Sequence, residues 1–271
     1  MSGPNRLQAA RDAFSKGDNK ASALAHDLGR IAQAAHGGSE EHGGASSQYL
    51  GEMVYGGLDG IVTTFAVVSG VAGAQLSSDI VLILGLANLF ADGFSMAVGS
   101  YLSTQSEQEY YQRERDREMW EVEHFPEGER AELLELYKAR GYSEKDARDL
   151  VEIQSRDPKR WVDAMMVDEL GMLPDERKPL ISSLTTFGAF VVAGAVPLLV
   201  YLLGLFTQIP AANTFPISLG LSGLALFGLG AAKVLVTHRN PLRSGLEMLL
   251  VGGLAAGVAY VVGALLRGIA G

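Results

Sequence analysis

The sequence predicts an all-α integral membrane protein, with five transmembrane helices and a cytoplasmic helical domain inserted between the second and third. Three observations carry this expectation. Hydrophobic residues make up 48% of the 271-residue chain, and they gather into five runs of about 20 residues, the length that crosses a bilayer. Glycine is abundant, at 33 residues, which suits spans packed through small side chains. Charge is unevenly placed: residues 104–178 hold 21 of the 31 acids and 13 of the 22 bases, so a polar block interrupts an apolar chain.

Residues 1–47 are polar and show no cleavable signal peptide. They read as one or two short helices followed by a Gly/Ser-rich linker, HGGSEEHGGASS, at 36–47. Residues 48–103 carry the first two spans, near 50–74 and 79–103, joined by a tight turn at Gln75–Ser78. The block 104–178 begins by continuing the second span, up to Pro126. A helix from about Glu127 to Arg140 follows, with Gly141 as its cap. Ser143 and Asp146 have the spacing of a capping box and open a shorter helix. Asp157 and Pro158 supply an N-cap and first helical residue for the last one, which runs to Leu170. Residues 179–271 hold the remaining spans, near 180–206, 214–237 and 244–267. Basic residues in the N-terminal segment and in THRNPLR (237–243) place both, together with 104–178, in the cytoplasm by the positive-inside rule.

Net charge is −9, and the polar block alone contributes −8. That balance argues against nucleic acid and for cations. The chain has no cysteine, so disulfides and thiolate metal sites are excluded. A metal here would be held by carboxylate, imidazole, thioether, backbone or water.

Two constellations could carry chemistry. The first lies in the membrane. Asp59 sits mid-span, where a carboxylate costs about 2.5–3.5 kcal/mol on insertion scales. A residue that expensive points to an ion or a proton. Glu52, seven residues earlier, shares its helix face. On the second span Asp92, Met96 and Ser100 recur at i, i+4 and i+8. Facing each other, these residues form a transport path: a column of oxygen and sulfur ligands for a divalent cation, in which a titrating carboxylate also carries a proton. The bland alternatives are backbone capping for Asp59, packing for Met96 and a headgroup position for Glu52.

The second constellation is in the polar block. Glu118 and Glu121 pair on one helix face, as do Glu129 and Glu132. The last helix adds Met165, Met166 and Glu169. Carboxylates with thioether sulfur suit Fe²⁺ better than Mg²⁺ or Ca²⁺, with Mn²⁺ and Zn²⁺ as further candidates. An ordinary solvated face neutralised by Arg113, Arg115 and Arg117 is the competing reading. Glu121-x-x-His124 matches half of a di-iron carboxylate motif. It keeps a membrane-anchored di-iron ferroxidase or oxidase open, and a metal sensor or buffer without transport is the third class.

The segments GLDGIVTTFAVVSGVAGA (57–74), FADGFSMAVGSYLS (90–103) and EMLLVGGLAAGVAY (247–260) resemble the vacuolar iron transporter family. The resemblance covers about residues 48–268. It implies a non-enzymatic secondary transporter: a homodimer that exports Fe²⁺ and other divalent ions from the cytosol in exchange for protons. The implied path residues fall on Asp59 and Met96. The implied ligands of a cytoplasmic metal-binding domain fall on Glu118, Glu121, Glu129, Glu132, Met165, Met166 and Glu169. One departure is Ser100, where many members of the family carry Glu. No organelle address is visible, so a prokaryotic inner membrane is expected. Gly56, Gly57 and Gly60 are expected to pack the first span against a second copy.

Overall fold

The computed structural model describes residues 6–25, 27, 48–207, 209–233 and 240–268. The expected linker at 36–47 lies outside them, as does residue 234–239 of the expected fourth span and basic turn. The chain divides into two compact units, residues 1–50 and 51–271. In the first, α1 (Arg6–Lys16) and α2 (Asn19–Ala25) meet at Gly17, whose φ of +62° favours glycine. Asp18 caps α2 by accepting from the Lys20 and Ala21 amides.

Among its described residues the second unit is built of helices joined by turns and one extended strap at 171–178, and five of the helices are long and apolar enough to cross a membrane. They are α3 (Leu50–Gly73), α4 (Ser78–His124), the stretch from α8 (Pro179–Gly194) to α9 (Leu199–Gly204), α10 (Ala211–Ala232) and α11 (Pro241–Leu266). The turn between α3 and α4 is as tight as expected and places Gln75 at φ +57°. Pro197 interrupts the third span with a 3₁₀ turn, Val196–Leu198. Its carbonyl accepts from Ser218 Oγ on α10 at 2.6 Å, so the break leaves no stranded acceptor there.

Helix α4 has 47 residues, about 70 Å at 1.5 Å per residue, more than twice a bilayer core. Its polar C-terminal part packs against α5 (Pro126–Ala139) and α7 (Pro158–Asp168), with α6 (Glu144–Gln154) beside them. Local signals fixed these boundaries. Ser143 Oγ accepts from the Asp146 amide, Asp157 accepts from Lys159 and Arg160, and Gly141 sits at φ +93°. The last helix stops at Asp168, two residues short of the expected Leu170. The fourth span starts at Ala211, three residues earlier than expected.

The glycines of α3 require a correction. A methyl group on Gly56 would strike the Thr186 carbonyl, and one on Gly60 the Phe190 carbonyl, while Gly57 faces Leu229 and Ala193. The small-residue face is therefore spent on α8 and α10 of the same chain, where backbones approach too closely for any side chain. It is not available to a second copy.

Candidate metal sites

The polar helices bring three carboxylates to one point. Glu118 comes from α4, Glu129 from the first turn of α5, and Glu169 caps the C-terminus of α7. Each offers an oxygen within 4.8 Å of the others. Glu118 is 1% exposed and Glu129 6%. Both oxygens of Glu118 and Oε2 of Glu129 lack a hydrogen-bond partner among the described residues. Arg117 Nη2 approaches Glu118 at 2.6 Å, as a charge contact rather than an aligned hydrogen bond, while its Nη1 reaches Glu121 at 2.5 Å and its Nε reaches Glu114 at 3.1 Å. Beneath the carboxylates lies an apolar core of Val122, Leu133, Trp161, Val162, Met165 and Met166.

One partly exposed arginine does not offset so much buried negative charge. Burial, opposed by Arg117 and reinforced by Glu169, Glu121 and Glu132, pushes the Glu118 carboxyl up to about 7. Burial and Glu118 do the same to Glu129, also to about 7. Glu169 rises through burial and Glu132. Glu121 and Glu132 thus belong to the same electrostatic cluster. The donor set of clustered, unpartnered carboxylate oxygens fits a divalent cation. Met165 and Met166 are fully buried in the adjoining core. On α7 they precede Glu169 by four and three residues, on its face of the helix.

His124 is placed elsewhere. Its Nδ1 lies 2.8 Å from the Trp120 carbonyl and its ring stacks on Trp120 at 4.5 Å. Among the described residues, the metal-competent group contains no histidine.

In the membrane unit, Glu52, Met96 and Ser100 line one cavity of about 420 Å³, with Glu107, Arg177 and Thr186. Asp59 and Asp92 are outside that lining. They lie two helical turns from Glu52 and one turn from Met96, within Coulombic reach of each other. Thr186 Oγ1 lies 3.3 Å from Ser100 Oγ, and Thr63 donates to the Asp59 carbonyl at 2.8 Å.

Arg177 escaped the sequence reading. It pairs with Glu52 at 2.8 Å, Glu107 at 2.9 Å and Asp175 at 2.7 Å. Asp175 is held below the usual carboxylate range by that hydrogen-bonded partner. Glu107 was legible in principle, because it follows Ser100 by seven residues on one helix face. Arg177 had no such signal, since it meets Glu52 across 125 positions.

Residues 50–264 match the model of the VIT family. The chain is 40% identical to a protein named vacuolar iron transporter from Toxoplasma gondii, over 98% of this chain and 90% of that one. It is 31% identical to its namesake from Plasmodium berghei, over 98% of each. Vacuolar iron transporter 1 of Arabidopsis thaliana is 36% identical over 79% of this chain and 85% of its own length.

Proposed function

The chain belongs to the VIT family, and from that premise we propose that it exports Fe²⁺ from the cytoplasm across a membrane in exchange for protons. Other divalent transition ions, Mn²⁺ foremost, are secondary cargo. The observation that carries most weight is the cluster of Glu118, Glu129 and Glu169, in which both oxygens of Glu118 and Oε2 of Glu129 are buried without a hydrogen-bond partner among the described residues. It supports a cytoplasmic collecting domain, spanning residues 104–178, in which Glu121, Glu132 and the thioethers of Met165 and Met166 complete the ligand set.

From there the ion passes to the cavity under Glu52 and Met96, and on to Asp59 and Asp92. A proton arriving at Asp59 from the far side neutralises its carboxylate and releases the ion. The same carboxylate then carries the proton inward. Glu107, on the cavity wall, supplies a carboxylate near the position where Ser100 lacks one. We keep the homodimer as part of this reading, through surfaces other than Gly56, Gly57 and Gly60.

The relatives compared are eukaryotic proteins named for the vacuole, which lends no support to a prokaryotic inner membrane. We place the chain in a bilayer bordering the cytosol. The di-iron oxidase reading is disfavoured by His124, which is engaged with Trp120. A sensor without transport leaves Asp59 and Asp92 without a role. The test is Fe²⁺ uptake into proteoliposomes. Wild type carries the ion and Asp59→Asn does not; equal uptake by both would remove Asp59 from the path.

A further inference from the structure

Arg177 puts a guanidinium in the wall of the cavity that Glu52 and Met96 also line. Three carboxylates surround it, each from a different part of the chain: Glu52 opens α3, Glu107 lies on α4, and Asp175 belongs to the strap that leads into α8. Exposure is graded across the group. Glu52 is the deepest, and Glu107 is the most open to solvent.

The strap is held independently of these ion pairs. Gln108 Nε2 donates to the carbonyls of Asp175 and Arg177 at 3.0 and 2.6 Å. Within the strap, Asp175 receives the Arg177 backbone amide at 2.9 Å and its Nε at 3.0 Å. The guanidinium therefore has a private partner that would keep it if Glu52 and Glu107 let go.

We propose that Arg177 is a tethered cation gating the cavity, which an incoming divalent ion must displace from Glu52 and Glu107 while Asp175 retains it. The charges match the exchange. Two carboxylates are freed for one divalent ion, while Arg177 stays paired with Asp175 throughout. A monovalent ion offers half that charge and competes poorly with a guanidinium fork. The pairs are partly exposed, so each is weak enough to be broken by metal. Arg177 acts through the carboxylates it covers and is a positioning residue, not a ligand.

This inference rests on the transport reading, and its test separates the two. The chain has no cysteine, so Ser100→Cys places a single thiol in the cavity wall. Its modification by a membrane-impermeant methanethiosulfonate bearing a quaternary ammonium is timed in Arg177, Arg177→Lys and Arg177→Gln backgrounds. Arg177→Gln should react about tenfold faster or more, as an uncovered acidic cleft concentrates cations. Arg177→Lys should fall between, because a point charge cannot span three carboxylates.

In otherwise native chain, Arg177→Gln should also lower the apparent KM for Fe²⁺ uptake several-fold. Equal labelling rates in all three backgrounds, or a fall in uptake with KM unchanged, would overturn the gate and leave Arg177 a structural brace. If Arg177→Gln does not fold, Arg177→Lys by itself must speed labelling relative to Arg177, or the gate is refuted. Labelling that responds to Arg177 in a protein that moves no metal would instead refute the transport reading.

Discussion

Glu118 and Glu129 meet across the Phe125–Pro126 corner, with carboxylate oxygens within 4.8 Å and almost no solvent on either. Two acids so placed must share protons or a cation.

A pH dependence follows. Both carboxyls are raised to about 7 in the folded chain, from the ordinary 4.5. The folded state therefore holds more protons than the unfolded one between about 4.5 and 7, and stability without metal falls as pH rises through that window. Metal binding must expel those protons. Affinity should drop below pH 7 by up to about tenfold per unit for each proton released. Titration of the purified chain with Mn²⁺ at a series of pH values measures the slope.

Glu118→Gln removes one of the repelling charges. Without metal at pH 7.5, the variant should be more stable than wild type, by up to about 3 kcal/mol from the size of the raised pKa. It should bind metal at least about tenfold more weakly, because a ligand charge is lost. Thermal unfolding with and without Mn²⁺ gives both numbers, and the two must move in opposite directions.

Met165 and Met166 serve the apolar core whether or not they reach a metal. Met→Leu at either site keeps the volume and should cost less than about 1.5 kcal/mol. If the thioethers are ligands, Fe²⁺ affinity falls several-fold while Mn²⁺, a harder ion, is little affected. Competition between the two ions on the purified variants reads this difference.

Gly60 tests the packing of the first span. Gly60→Ala drives a methyl into the Phe190 carbonyl and should cost about 1–3 kcal/mol of overpacking. Gly253 has no atom within 4 Å of such a methyl, so Gly253→Ala should stay within about 0.5 kcal/mol. Unfolding in detergent compares them.

These residues also mark how far the sequence was legible. Helix ends at Ser143, Asp157 and Gly141 could be read because capping is a local hydrogen bond between near neighbours. Glu118 with Glu121, and Glu129 with Glu132, could be paired from helical spacing alone. The convergence of Glu118, Glu129 and Glu169 depends instead on the corner at Pro126 and on how α7 docks, which no spacing encodes. The glycine face of α3 was visible as a pattern, but a pattern of small residues does not name the surface it meets. Arg177 was invisible because its partners come together only in the folded chain.

The most direct test of the account follows metal and protons in the same vesicles. Proteoliposomes with an acidic lumen are given external Fe²⁺ under reducing conditions, and luminal iron and pH are recorded together. Fe²⁺ should accumulate with matching loss of luminal protons, both abolished by Asp59→Asn while metal binding at Glu118, Glu129 and Glu169 persists. Iron uptake that moves no protons, or coupled uptake that survives Asp59→Asn, would contradict it.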